Sequence, residues 1–150
     1  MVDPRVTELQ CIMPIGNLVS VMHARNPMMF KRREQAPGLC ILRVSTMVLT
    51  LPGTVISDQN AASCYVRFLH PRQWQVLDFD AIYAMDWRHQ NDAVAYYRHS
   101  SQKCAEVLVP HRVEARLITG AYVVDEAAKK RVEAFGLALP VTLDAVLFFR

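Results

Sequence analysis

The sequence consists mainly of short apolar segments that are separated by turn residues. Short runs rich in β-branched and other apolar side chains are typical of β-strands rather than helices. The predicted strands cover residues 9–13, 39–44, 54–56, 105–109, 117–123, 141–143 and 147–149. They are not separated regularly by helices, so the pattern predicts an α+β domain and not a doubly wound sheet.

Prolines and capping side chains mark the starts of the predicted helices. A capping side chain accepts a hydrogen bond from an unpaired N–H group of the first turn, and a proline has no such N–H group. A glycine after the last turn favours the end of a helix. The helical features expected on this basis are a short turn capped by Asn17 through Met22, a helix-rich region over residues 71–97 with Pro71 at a first position and Asp92 as a cap, and a helix over residues 126–135 capped by Asp125 and ended by Gly136.

Composition indicates one soluble domain over residues 1–150, which is long enough to bury a core without staples. The 17 basic and 14 acidic residues give an excess too small to imply a nucleic-acid partner. The spacing of the four cysteines fits no disulfide framework or metal motif, so we expect mostly buried thiols in a reducing compartment. The N-terminus has no signal-peptide pattern and no segment reaches membrane-span length, so we expect a cytoplasmic protein.

Metal binding is not expected, because the five histidines form no H-E-x-x-H pattern. The known glycine-rich phosphate loops and the G-x-S-x-G elbow are absent from a chain with only five glycines. The sequence therefore lacks the commonest signatures of metalloenzymes, nucleotide-binding proteins and serine hydrolases.

Two charged residues stand within apolar surroundings. Glu106 lies near the start of the predicted strand 105–109, where a carboxylate needs solvent, a partner or a catalytic role. Arg25 precedes Asn26 and Pro27 and could bind paired phosphate oxygens, although a surface or salt-bridged arginine would show the same pattern.

Nucleic-acid contacts have two further candidates. The basic cluster of residues 31–33 could meet a phosphate backbone, or could be a solvated turn. Aromatic side chains can stack on bases, but in helix-like segments they are more often core residues. The aromatic residues in question are Trp74, Tyr83, Trp87, Tyr96 and Tyr97.

Five segments resemble, in the same order over most of the chain, the DarT family of DNA ADP-ribosyltransferase toxins. Among them, A-R-N-P-M and A-E-V-L-V-P are specific in combination. The segments are E-L-Q-C-I-M-P-I at 8–15, H-A-R-N-P-M at 23–28, D-Q-N-A-A-S at 58–63, K-C-A-E-V-L-V-P at 103–110 and L-F-F at 147–149.

The resemblance implies an ADP-ribosyltransferase-like fold, with two packed, mainly antiparallel sheets and flanking helices around an NAD cleft. It implies transfer of ADP-ribose from NAD to thymidine bases in single-stranded DNA, by the toxin of a toxin–antitoxin pair. It also implies a partner, a DarG-like macrodomain antitoxin. Matched by motif, Glu106 and Arg25 are the expected catalytic residues, and Arg25 is also expected to bind NAD.

Other site residues follow from the same resemblance and from the basic side chains nearby. We expect Gln10 and Asn17 to contribute to NAD binding, and Met28, Arg98 and Lys103 to contact DNA. The strands predicted at 39–44, 105–109 and 117–123 are expected to line a common cleft.

The chain departs from the family pattern near its N-terminus. A stretch of a few dozen residues that helps to enclose NAD normally separates the first two segments, whereas here Ile15 and Arg25 are nearly adjacent. The histidine of the first segment is replaced by Gln10 or Cys11. The alternative to an active enzyme is therefore a catalytically degenerate protein of this fold that binds single-stranded DNA or an antitoxin.

Overall fold

Eight strands and four short α-helices make up the computed structural model, which describes residues 9–15, by backbone only, and residues 18–149. The strands are β1 (Leu9–Ile15), β2 (Leu18–Met22), β3 (Ile41–Val44), β4 (Val55–Ser57), β5 (Phe68–Leu69), β6 (Glu106–Pro110), β7 (Ile118–Val123) and β8 (Val141–Leu143). The helices are α1 (Pro27–Lys31), α2 (Phe79–Tyr83), α3 (Ala93–Gln102) and α4 (Glu126–Glu133). Turns of 3₁₀ helix cover Arg33–Gly38, Thr46–Thr50, Pro71–Val76, Ala115–Leu117 and Ala145–Phe148.

The strands follow the order β5-β4-β6-β2-β1-β3-β7-β8, and only the β7–β8 pair is parallel. The predicted α+β class with mainly antiparallel strands is confirmed. Pairing of β1 with β2 joins two halves, β5-β4-β6-β2 and β1-β3-β7-β8, into one hydrogen-bonded order. The expected pair of sheets is therefore continuous through this central hairpin.

Two hydrophobic clusters stabilise the fold. The larger one packs side chains of β2, β4 and β6 against the 3₁₀ turn at Thr46–Thr50. The smaller one gathers Met29, Ile41 and Phe148, so it ties α1 to β3 and to the C-terminal turn. The larger cluster also includes Val44 of β3, so it joins the two halves of the sheet.

Helix starts agree with the sequence where a side chain caps the first turn. Asp92 and Asp125 accept hydrogen bonds from the backbone N–H groups three residues later, as predicted, and Pro71 opens a 3₁₀ turn. Helix α4 ends slightly before the predicted boundary, and Gly136 follows with a φ of 68°.

Two predicted elements are wrong. Residues 18–22 form strand β2 instead of a helical turn, because they pair with β1 on one side and with β6 on the other. Residues 147–149 are not a strand, because the Asp144 carboxylate accepts hydrogen bonds from the N–H groups of Val146 and Leu147 and winds a 3₁₀ turn. Asn17, the expected cap, lies outside the described residues.

No helix in the described part of the chain combines the length and the apolar character that crossing a membrane requires.

Candidate active site

Strand β6 places Glu106 in the middle of one half of the sheet. Glu106 pairs with Met22 of β2 on one side and with Ser57 of β4 on the other. Glu106 is 4% exposed, so its carboxylate is not at a solvated strand end. Burial of a carboxylate requires hydrogen-bond donors close by.

Both carboxylate oxygens of Glu106 have such donors. The Ser20 hydroxyl donates to Oε2, and the backbone N–H of Ala61 donates to Oε1 over 2.7 Å. The backbone N–H of Glu106 donates to the Ser57 hydroxyl at 3.2 Å. Two segments far apart in sequence therefore fix the carboxylate, a third contact fixes its backbone, and the orientation of the carboxylate is set before any ligand binds.

The loop after β4 presents the Ala61 N–H through its own side chains. Asn60 accepts a hydrogen bond from the N–H of Ala62, and its own N–H donates to the carbonyl of Ser101 in α3. Asp58 forms an ion pair of 2.6 Å with Arg67 across the base of the loop. These contacts explain physically why a D-Q-N-A-A-S segment accompanies the glutamate.

A cavity of about 70 Å³ lies against Glu106. Its lining comes from strands β2, β4 and β6, from His23 and Leu49, and from a segment of residues 71–84, which we call the roof. The roof side chains that line the cavity are Trp74, Leu77, Phe79, Ile82 and Tyr83. Pockets that hold cofactors and small ligands are usually ~300–1,000 Å³, so the cavity is small by comparison.

The expected common cleft is only partly correct. Ala105, Glu106 and Val107 line the cavity, whereas no residue of β3 or β7 does. The reason is the strand order, which places β2 and β1 between β6 and β3.

Arg25 lies next to the cavity but does not line it. Its Nη1 donates to the Val146 carbonyl over 2.8 Å, and its guanidinium lies 4.5 Å from the ring centroid of Phe149. Phe149 has a φ of 61°, which is uncommon for an aromatic residue. The next residue, Asn26, is fully buried and caps α1, so the A-R-N-P-M segment fixes the backbone that carries Arg25.

His23 is a third titratable residue near the cavity. It lines the cavity beside Glu106 and packs edge-on against the Tyr83 ring at a centroid distance of 4.5 Å. Burial, and next the nearby Lys103 ammonium, lower the pKa of His23 to about 4. The imidazole is therefore neutral near pH 7 and does not compete with Arg25 for an anion.

Lys103 does not lie where a DNA-phosphate contact was expected. It is 0% exposed, and its Nζ donates to the carbonyls of Ile82 at 2.9 Å and Ala84 at 2.7 Å. Burial, and next the Arg25 charge, lower its pKa to about 8. An ammonium enclosed in this way has no access to a nucleic-acid backbone, so this prediction is wrong.

Arg98 is exposed on α3, as a DNA contact requires. It borders a groove of about 780 Å³ whose wall includes the exposed rings of Tyr65 and Tyr97. Trp87, another proposed stacking residue, is 5% exposed and belongs to the interior.

The remaining predicted site residues are further away or are not described. Met28 lies in α1 and is not among the residues that line the cavity. Gln10 has only its backbone described, paired with Met22 and Arg43, and Asn17 lies outside the described residues.

The basic cluster of residues 31–33 and the cysteines that the structure describes do not line the cavity. Arg33 of the basic cluster stacks on the Phe30 ring at 4.2 Å and lies 3.6 Å from Glu34, so its charge is partly committed. The expectation of mostly buried thiols is wrong for Cys40 and Cys64, which are exposed, while Cys104 is buried.

Sequence reasoning missed the groups that hold Glu106. Ser20 was assigned to a helix; as a strand residue of β2 it would have been placed on one face in alternation. Ala61 carries no side-chain signal, because its backbone N–H makes the contact. The D-Q-N-A-A-S segment was the available signal for that loop.

The buried glutamate, its donor Ala61 and the arginine lie in the range that a family model matches. The model for DarT, ssDNA thymidine ADP-ribosyltransferase, matches residues 21–149. The chain belongs to the DarT family. No curated protein matches it.

Solved DarT structures share the fold. The Thermosipho africanus DarTG structure in complex with ADP-ribose is 24% identical with a TM-score of 0.72, and the match covers 89% of this chain and 36% of that one. Thermus sp. 2.9 DarT in complex with NAD⁺ is 17% identical with a TM-score of 0.73, over 97% and 82% of the two chains. The same Thermus protein in complex with ADP-ribosylated ssDNA is 18% identical with a TM-score of 0.72, over 87% and 68%. The chain thus spans about a third of the Thermosipho chain.

Proposed function

We propose that this DarT-family chain transfers ADP-ribose from NAD to a thymidine base in single-stranded DNA. The observation that carries the proposal is the Glu106 carboxylate, buried against a cavity and oriented by Ser20 and the Ala61 N–H. Family membership supports the reaction class, and the Thermus relative in complex with NAD⁺ supports the donor.

Glu106 serves the reacting sugar. When the bond between the nicotinamide nitrogen and the ribose carbon breaks, nicotinamide leaves and positive charge develops on the sugar. A carboxylate already fixed beside that charge stabilises it without reorganisation, and can also accept a hydrogen bond from a ribose hydroxyl. The thymine base forms the new bond to the same carbon and releases a proton.

Arg25 is the proposed partner for the NAD phosphates. Its guanidinium can bind paired oxygens in a fork geometry, and the Phe149 ring beneath it leaves part of the fork free for such a ligand. Positioning of this kind lowers the entropic part of the barrier. Gln10 and Asn17 remain proposed NAD contacts by resemblance only.

The groove beside α3 is the proposed path of the DNA strand. Tyr65 and Tyr97 offer exposed rings for base stacking, and Arg98 offers a charge for phosphate. The groove includes Ala62, adjacent to the residue that holds Glu106, so a strand in the groove ends close to the carboxylate. Met28 remains a proposed base contact.

The test of the reaction is a mass measurement. The protein is incubated with NAD and a thymidine-containing oligonucleotide, with a thymidine-free oligonucleotide of equal length as the control. We expect the mass of one added ADP-ribose on the first oligonucleotide only. Modification of both would contradict thymidine selection, and modification of neither would contradict the reaction.

The test of the groove uses binding. Arg98→Ala should weaken binding of all oligonucleotides and reduce the salt dependence, because one phosphate contact releases about one counterion. Tyr97→Ala should weaken binding without changing the salt dependence. Binding by both variants at the wild-type level would exclude the groove.

A second candidate function has its own support. The cavity of about 70 Å³ and the attachment of Arg25 to Val146 and Phe149 favour a degenerate protein that binds single-stranded DNA or an antitoxin without catalysis. This function predicts oligonucleotide binding that NAD does not alter. Any NAD-dependent mass shift would exclude it.

An antitoxin partner is proposed from the resemblance. A DarG-like macrodomain would remove ADP-ribose from the modified thymidine and return the oligonucleotide to its original mass. Incubation of the modified product with a macrodomain hydrolase tests this directly.

A further inference from the structure

Lys103 is an enclosed cation without an enclosed anion. It follows helix α3 as its C-terminal cap, and its side chain is 0% exposed. Its ammonium donates to the carbonyls of Ile82 and Ala84 at 2.9 and 2.7 Å. It makes no ion pair with a carboxylate among the residues that the structure describes. The ammonium group of Lys103 thus binds backbone carbonyl groups in place of a carboxylate.

The two carbonyls belong to the roof. Ile82 and Tyr83 line the cavity next to Glu106, and the carbonyls that Lys103 holds are on Ile82 and on the residue after Tyr83. Lys103 itself is three residues before Glu106 in the segment that enters β6. One side chain therefore joins the catalytic strand to the roof.

The same ammonium fixes the chain just beyond the roof. Nζ lies 5.3 Å from the ring centroid of Trp87, and Trp87 packs edge-on against Phe30 and Phe149 at 5.8 Å each. Phe149 also supports Arg25. The end of the roof, the lysine and the arginine are therefore one packed group.

The small cavity means that a large ligand must move the roof. A nicotinamide ring and its ribose need more room than the cavity of about 70 Å³ between the sheet and the roof provides. Binding of NAD must then displace the roof. The apparent affinity for NAD therefore depends on the fraction of protein molecules in which the roof is open.

We propose that Lys103 is a positioning residue that latches the roof over Glu106 through the carbonyls of Ile82 and Ala84. The latch itself is inferred from the geometry alone. Its effect on catalysis rests on the proposed function. Releasing the latch opens the cavity more often and also loses the closed arrangement that chemistry needs.

The first test is hydrogen exchange, which needs neither NAD nor DNA. Lys103→Met keeps the length of the side chain but removes the donors, and Lys130→Met, on the exposed face of α4, is the matched control. In Lys103→Met we expect amides of residues 71–84 to exchange about tenfold faster, while those of β6 stay protected. Unchanged exchange in the roof, or an equal rise in the roof and β6, would overturn the latch.

The second test separates a latch from a general loss of stability. Opening predicts that Lys103→Met lowers both KM for NAD and kcat, because entry becomes easier while closure becomes rarer. A merely destabilised protein would lose kcat with KM raised or unchanged, and that result would contradict the proposal. If Lys103→Met does not fold, Lys103→Arg is measured by exchange instead. Its planar guanidinium fits the two carbonyls less well than an ammonium, so exchange should rise in the roof and not in β6. No rise in the roof, or an equal rise in the roof and β6, would overturn the latch. The exchange result stands even where no transfer is detected, so failure of the latch and failure of the transferase proposal are distinguishable.

Discussion

Glu106 and Arg25 are held in contrasting ways. Glu106 sits within the sheet, and neutral donors from β2 and from the loop after β4 fix both of its oxygens. Arg25 is half-buried and is held by one carbonyl and one ring from the C-terminal turn. The first site is rigid by construction, whereas the second depends on the position of a short terminal segment.

The contrast indicates different roles for the two residues in the proposed reaction. A charge that must stabilise a transition state profits from donors that do not move during the reaction. A charge that binds phosphates can adjust, because a guanidinium presents its fork from several positions. We therefore expect changes around Glu106 to affect kcat and changes around Arg25 to affect KM.

The largest expected effect is at Glu106 itself. Glu106→Gln keeps the shape and removes the charge, so transfer should fall by roughly 10²–10³-fold, the range for loss of one preorganised electrostatic group. The initial rate of oligonucleotide modification measures this, with the exposed Glu133→Gln as the control. Transfer within a factor of two of wild type would remove Glu106 from the mechanism.

A smaller loss is expected at Ser20. Ser20→Ala leaves one oxygen of Glu106 without its donor, so kcat should fall about tenfold and the free energy of unfolding by about 1 kcal/mol. Combined with Glu106→Gln, the second substitution should add little, because the two residues act as a unit. Fully additive losses in kcat would show that Ser20 acts independently of the carboxylate.

Phe149 probes the arginine side of the comparison. Phe149→Leu removes the ring beneath Arg25, a contact usually worth roughly 0.5–2 kcal/mol, so KM for NAD should rise a few-fold with kcat nearly constant. The matched control is Phe135→Leu, since that ring is 76% exposed and touches neither site. A fall in kcat alone would break the proposed division of roles.

His23 gives a pH dependence of stability. Its pKa is about 4 in the folded protein and about 6.5 when unfolded, so the unfolded state binds more protons between these values. The free energy of unfolding should therefore fall as the pH drops from about 6.5 to about 4, by roughly 1–3 kcal/mol. Urea unfolding of wild type and His23→Gln at several pH values measures this.

The control for His23→Gln is His111→Asn, which removes an exposed histidine. His111 has a φ of 63°, a value that asparagine tolerates. The His23 variant should show a flatter profile and the control the wild-type slope. Equal slopes in all three proteins would mean that another group titrates.

Local patterns predicted the elements that depend on local chemistry. The apolar run that becomes β6 and the Asp125 cap of α4 are examples, because strand content and capping are encoded within a few residues. Strand β2 was missed because an Asn before a short run also favours a helix, and only pairing with β1 and β6 decides.

The contacts of the candidate site were not predictable from the sequence. Motif matching singled out Glu106 and Arg25, while the donors to Glu106 come from residues 86 and 45 positions away. The burial of Lys103 was not predictable, because the carbonyls that compensate its charge lie 21 and 19 positions earlier in a segment without a lysine-binding signal. Such contacts exist only after the chain has folded.

The hydrogen bond from Arg25 to Val146 spans 121 positions, which gives it a consequence for synthesis. A ribosome releases the arginine long before the carbonyl that holds it, and long-range contacts form last because loop closure must precede them. Nascent chains that already contain Glu106 and its donors would still carry an unfixed arginine. The geometry proposed for NAD therefore becomes complete only after residues 146–149 have left the exit tunnel, so we expect an unfinished chain to lack the proposed transfer activity.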